Sequence, residues 1–301
     1  MSTTTAPAGN ASGTAPDTEP HLRIPPWLRR PLPTARNFAD TRGLLDNLHL
    51  HTVCKGAKCP NMHECFSSGT ATFLIMGPTC TRNCRFCNIG NERPVPLSPD
   101  EPERVAQAAA GLGLRHVVIT SVTRDDLPDG GAGHFAATIR AVKQALPQAT
   151  VEVLIPDFQG DAEALAVVMA AEPLVINHNV ETHPDLYPQV RPQADYAQSL
   201  ELLRRVARSG RVAKSGFMVG IGEDDEQVRQ VLRDLHAAGC RLVTIGQYMR
   251  PSREHLPVKR YVHPDVFEAY AVYGRSLGIA HAFSAPLVRS SYMAEEALRA
   301  L

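Results

Sequence analysis

Three cysteines stand within GPTCTRNCRFCNIG (residues 77–90) and three more within VCKGAKCPNMHEC (residues 53–65), so six of the seven cysteines lie between Cys54 and Cys87. Cys80, Cys84 and Cys87 have the spacing C-x3-C-x2-C on a loop that also carries Gly77, Pro78 and Gly90. Such spacing lets one short loop wrap three corners of an iron–sulfur cube, and the fourth cysteine of a ferredoxin run is missing. Zinc stays open as the alternative, because three thiolates and a histidine also make a closed structural site. No histidine of finger-like spacing follows Cys87, and the distant Cys240 reads as a buried structural thiol. Cys54, Cys59 and Cys65 have the spacing C-x4-C-x5-C. Each set of three lacks a fourth ligand.

Something must position these loops. From residue 72 onward, β-branched or apolar runs recur: TFLIM (72–76), HVVITSV (116–122), VEVLIP (151–156), LVINHNV (174–180), RVAKSGFMVG (211–220) and RLVTIGQYM (241–249). Stretches of helical period separate them, among them PERVAQAAAGLG and DDEQVRQVLRDLHAAG. Strand-then-helix repetition with near-continuous apolar strands predicts a parallel sheet with helices outside it. Six units are present, with a short strand conceivable near 279–285, which is too few for a full eight-stranded barrel. An open (β/α)6 barrel and a doubly wound sheet both fit this period. In either, the site is expected at the carboxyl ends of the strands, where the second cysteine group follows the first strand directly.

The 301 residues, 44% of them hydrophobic, suffice for a large core. Balanced charge, 31 basic against 31 acidic side chains, argues against a nucleic-acid partner. No run of about 18 apolar residues marks a membrane span, and the first residues lack the layout of a secretory signal. An odd cysteine number in tight C-x-x-C-type packing points to metal or cluster ligation in a reduced compartment, the cytoplasm. Residues 1–19, rich in Ser, Thr, Ala, Gly and Pro, read as a disordered tail. HLRIPPWLRRPLP, with Trp27, reads either as an extended arm over the globular body or as one aromatic staple among solvated arginines.

CTRNCRFC after a first strand resembles the cluster loop of the radical S-adenosylmethionine (radical SAM) superfamily, and the upstream KCPNMHEC resembles the lipoyl synthase family in particular. So do TSVTRDDLPDGGAGHF (120–135), NHNVET (177–182), KSGFMVGIGE (214–223), QYMRPS (247–252) and RSSY (289–292). The likeness implies an open (β/α)6 partial TIM barrel over residues 69–285, an N-terminal extension over 20–68 and a C-terminal segment over 286–301. It implies two 4Fe-4S clusters. One, on Cys80, Cys84 and Cys87, would leave an iron open to S-adenosylmethionine. The other, auxiliary cluster would sit on Cys54, Cys59 and Cys65, with Ser290 of RSSY as its fourth ligand; a lone Ser-Ser pair would otherwise read as surface. The implied reaction inserts two sulfur atoms, at C6 and C8, into a protein-bound octanoyl-lysine. Its implied partners are octanoylated lipoyl domains of 2-oxoacid dehydrogenases, the glycine-cleavage H protein and a low-potential electron donor.

The same likeness sets Thr120 and Ser121 near the cosubstrate. Asn179 and Glu181, at a strand end, are expected to hydrogen-bond its ribose and amino acid moieties, although strand-end polar clusters also serve as turns and caps. Lys214 is expected either to reach a carboxylate of the cosubstrate or to be a solvated or salt-bridged lysine. GFMVGIGE has the wrong glycine order for a dinucleotide fingerprint.

Overall fold

The computed structural model describes residues 22–29 and 37–298; the tail expected over residues 1–19 lies outside them. Eight strands form one sheet: β1 (His51–Thr52), β2 (Thr72–Ile75), β3 (His116–Ser121), β4 (Thr150–Leu154), β5 (Val175–Asn177), β6 (Val212–Val219), β7 (Leu242–Gln247) and β8 (His281–Ser284). Their spatial order is their chain order. Every pair from β2 to β8 is parallel, whereas β1 runs antiparallel to β2. A doubly wound sheet reverses its strand order at a switch point. None occurs here, and the sheet is an open partial barrel. The six apolar runs are β2 to β7, and the short run near residue 280 is β8. The antiparallel β1 is an addition to the expected topology, and its two residues are too few to show a period.

Helices cover the outside. The one that follows β6, Asp225–Ala237, shows why. Asp224 accepts from the Gln227 amide at 2.8 Å while the Gln227 side chain accepts from the Asp224 amide at 3.0 Å, a reciprocal cap. Val228, Val231, Leu232 and Leu235 then recur at helical spacing and are buried. They join the main core with Val117, Ile119, Val153 and Ile245 of the strands. A smaller cluster closes the foot of the barrel. Val175, Val212 and Leu242, the first residues of β5, β6 and β7, pack with Phe283 and with Leu298 of the last helix, Ala294–Leu298.

Polar groups occupy the middle of the sheet. Lys214 Nζ lies 2.7 Å from Glu152 Oε1, and each side chain is 1% exposed. His116 Nε2 is 3.4 Å from the other Glu152 oxygen. Burial acts to raise the Glu152 pKa, but Lys214 and His116 overcome it and hold the carboxyl below its usual range. The stability this depression gives is present above the unfolded pKa and is lost as pH falls through the lower folded one. Lys214→Met would strand the carboxylate, and a loss of about 3–5 kcal/mol is expected in denaturant titration. The double change Lys214→Met, Glu152→Leu should recover most of it. The single variant's deficit should shrink toward acid pH as Glu152 takes up a proton.

Candidate functional site

The second cysteine group is launched by a sharp turn. Met76 and Gly77, just past β2, both have left-handed backbone, with φ of 70° and 90°. Glu101 accepts from the Met76 amide at 2.8 Å and Arg124 donates to its carbonyl at 3.3 Å, so the strained peptide is held at both ends. The loop closes where the Cys80 amide donates to the Gly90 carbonyl at 2.8 Å. Cys80 Sγ accepts from the amides of Arg82 and Thr123 at 3.4 and 3.3 Å. His255 reaches the Cys87 carbonyl at 2.9 Å, and Phe86 packs against a cluster of Val190, Ile221 and Tyr248.

The first group lies on two short helices, Val53–Gly56 and Met62–Ser67, joined by the turn that carries Cys59. The C-terminal segment comes back across both the extension and the barrel. Asn61 donates to the Leu287 carbonyl at 2.7 Å, Thr72 to Ser291 Oγ at 2.8 Å, and Tyr292 to Glu64 at 2.9 Å. Its path over β6 and β7 needs two residues without side chains. A Cβ on Gly246 would lie 2.2 Å from the Val288 carbonyl oxygen, and one on Gly216 would lie 3.1 Å from Ser290 Oγ. Ser290 thereby meets Asn179: the amide donates to its oxygen at 2.7 Å, and the hydroxyl donates back to Asn179 Oδ1 at 3.0 Å.

One cavity of about 950 Å³ is lined by all six clustered cysteines and by Ser290. Thr120, Ser121, Asn179 and Glu181 line it too. Thr120 is committed to the Leu154 carbonyl at 3.0 Å, whereas the buried Ser121 hydroxyl has no partner. Lys214 is not on the wall. It is the third residue of the eight-residue β6, nearer the amino ends of the strands, and its charge is spent on Glu152, so its salt-bridged alternative is the one that forms. Gly216 makes room for the C-terminal segment. Asp125 and Asp126, neighbours in sequence, face different arginines, Arg82 and Arg124.

Arg191 escaped the motif reading, since nothing periodic surrounds it. It is buried on the cavity wall, donates to the Asn179 carbonyl at 2.8 Å, lies 5.2 Å from the Tyr187 ring centre, and keeps an unpartnered Nε. Burial raises Glu181, and Arg191 opposes that shift.

Burial also pushes the thiols up, Cys54 and Cys84 to about 11, Cys65 and Cys87 to about 12. Within each triplet the neighbouring cysteines add to the rise, so the three sulfurs are close enough to repel one another as thiolates. Desolvated, mutually repelling thiolates are the donor set that a cationic iron centre stabilises. All seven cysteines are free thiols. Among the described residues no three His, Cys, Asp or Glu side chains converge to hold a single metal ion.

Family models agree with this geometry. Residues 74–235 match the radical SAM superfamily, and residues 6–59 match the N-terminal domain of lipoyl synthase of the radical SAM family. A lipoyl synthase of Nitratidesulfovibrio vulgaris is 67% identical over 95% of this chain and 97% of its own length. Another, of Oleidesulfovibrio alaskensis, is 66% identical over 91% and 94%. The chain belongs to the lipoyl synthase family. A lipoyl synthase of Chlorobium limicola is 53% identical over 90% of this chain and 94% of its own. Solved structures share the fold: methylornithine synthase (PylB) at TM-score 0.52 and 16% identity, covering 81% of this chain and 73% of that one. HydG, a maturase of the FeFe hydrogenase, has TM-score 0.54 and 16% identity over 69% and 49%. Membership of this family carries iron–sulfur and S-adenosylmethionine chemistry with it.

The path of the C-terminal segment is open to test. Gly246→Ala should dislodge residues 286–292 while the barrel stays folded. Hydrogen exchange should quicken in that segment alone, with sulfur insertion reduced at least about tenfold, the rate equivalent of one lost charge-assisted contact.

Proposed function

We infer that this chain acts as a sulfurtransferase of the lipoyl synthase type, inserting sulfur at C6 and C8 of a protein-bound octanoyl-lysine. The observation that carries this is the single cavity shared by two cysteine triplets and Ser290. Cys80, Cys84 and Cys87 would hold one 4Fe-4S cluster, with S-adenosylmethionine completing its ligand set. Cys54, Cys59, Cys65 and Ser290 would hold a second. When bound, the first supplies an electron that cleaves S-adenosylmethionine to methionine and a hydrogen-abstracting 5'-deoxyadenosyl radical, and the second supplies the two sulfur atoms.

The chain's own groups do the rest. Arg191 and Glu181, whose charges both act on Cys84, receive the carboxylate and ammonium of the cosubstrate. Ser121 offers a free hydroxyl, and Thr120 and Asn179 shape the wall beside it. An unactivated C–H bond presents no charge for an acid or base, so the protein's part is to aim the radical at one methylene and exclude water. Phe86 and its apolar neighbours dry that approach. Ser290, which here exchanges hydrogen bonds with Asn179, would serve as the fourth ligand of the second cluster, and a hard alkoxide beside three thiolates would hold its iron weakly.

On this reading residues 20–68 bring the auxiliary ligands, residues 69–285 form the catalytic barrel, and residues 286–301 complete the second centre. The carriers are octanoylated lipoyl domains of 2-oxoacid dehydrogenases and the glycine-cleavage H protein; a separate low-potential donor would supply the cluster's electron, in the cytoplasm, where free thiols persist.

Anaerobic turnover of an octanoyl-lysyl peptide with dithionite and S-adenosylmethionine, read by product mass, tests the two centres separately. Cys84→Ala should form no 5'-deoxyadenosine. Cys59→Ala should form it and yield no sulfur-containing acyl product; native yields there would show that the sulfur comes from elsewhere. Ser290→Cys should keep about eight irons per chain, the sum of two four-iron clusters, and stall before double insertion. Ser291→Ala should be far milder.

A further inference from the structure

Arg82 lies inside the C-x3-C spacer, between Cys80 and Cys84, yet it is buried and points away from the cavity. Its Nε and Nη2 donate to the two oxygens of Asp125 at 2.7 and 3.0 Å. Its Nη1 and Nη2 donate to the two oxygens of Asp157, both at 2.7 Å. Two bidentate carboxylates on one guanidinium fix that plane in every direction. Asp125 stands on the loop after β3 and Asp157 just past β4, so one side chain moors the cluster loop to two strand ends. Burial pushes the Asp157 carboxyl up, and Arg82 draws it down to about 2.

Asp157 is itself aimed by a strained turn. Phe158, Gln159 and Gly160 are three successive left-handed residues with φ of 47°, 52° and 82°. The Gln159 amide donates to Asp157 Oδ1 at 3.0 Å, the same oxygen that Arg82 Nη2 contacts. Two non-glycine residues held in this region persist only where their surroundings over-determine them. The backbone of the spacer is stitched to the same loop: Thr81 donates to the Thr123 carbonyl at 3.0 Å, and the Asp125 amide donates to Thr81 Oγ1 at 3.1 Å.

We propose that Arg82, Asp125 and Asp157 form a positioning clamp that keeps Cys80 and Cys84 set for their cluster. A centre with three protein ligands and one exchangeable ligand has no fourth side chain to hold its frame, and the clamp supplies that rigidity from behind the loop. It rests on the cluster reading above and adds to it residues that touch neither iron nor cosubstrate. Lysine at this position would keep the charge but lacks the planar fork that engages two carboxylates at once.

Iron withdrawal from the reconstituted full-length chain tests it. A chelator is added anaerobically, and the freed thiols are alkylated and mapped by mass spectrometry, in native protein, Arg82→Lys and the near-isosteric Asp157→Asn. In Arg82→Lys, Cys80, Cys84 and Cys87 should be labelled about tenfold faster, as expected for losing part of a charge-assisted network. In Asp157→Asn the effect should be smaller but in the same direction. Cys54, Cys59 and Cys65 should keep their native rate. Equal acceleration of both triplets would mean a general loosening and would overturn the clamp, as would an unchanged ratio between them. A native chain that holds no iron on Cys80, Cys84 and Cys87 would instead sink the cluster reading, and the labelling ratio of those iron-free chains would still decide the clamp.

Discussion

Two strands of the barrel lack a side chain where the chain's last segment crosses them, and the rest of the site depends on that close approach. Without the gap at Gly246 the Val288 carbonyl has no room, and without the gap at Gly216 Ser290 cannot sit against Asn179. The crossing also draws in Asn61 and Tyr292, which tie the segment to the cysteine-bearing extension. Three parts of the sequence that are far apart thus share one cavity because two backbones touch.

The charges follow a common logic. Several buried ionic groups have an ionic partner: Lys214 for Glu152, Arg82 for Asp157, Glu101 for His134. The clustered thiols are compensated only in part: hydrogen bonds to Cys54, Cys65 and Cys87, and the charges of Arg191 and Arg82 on Cys84, fall short of what their burial costs. Desolvated sulfurs gathered in threes and compensated only in part are a donor set suited to a cation.

Much of this was legible in the residues, and the limits have physical causes. Parallel strands buried on both faces read as continuous apolar runs, so β2 to β7 stood out, whereas β1 is two residues long and shows no period. The cysteine triplets are local patterns and show themselves directly. Ser290 has no such spacing to its partners, and only the likeness of RSSY to a family drew attention to it. In sequence Lys214 stays open between a cosubstrate carboxylate and a salt bridge, and its place in β6, below the strand ends, decides for the salt bridge with Glu152. The pairing of Arg82 with Asp157 joins residues 75 positions apart, and no window along the chain can report such a contact. Arg191 was missed because nothing periodic surrounds it.

The order in which the parts occur along the chain bears on how the protein is made. Every strand of the barrel and all six clustered cysteines precede Ser290 and Leu298, and among the described residues after β8 it is Leu298 that packs into the cluster at the foot of the barrel. During synthesis, then, the barrel and its cysteine loop can take shape before the segment that walls the upstream triplet has been made. A chain caught at that point would have one triplet seated in its barrel and the other still open on one side, an order set by the direction of translation itself.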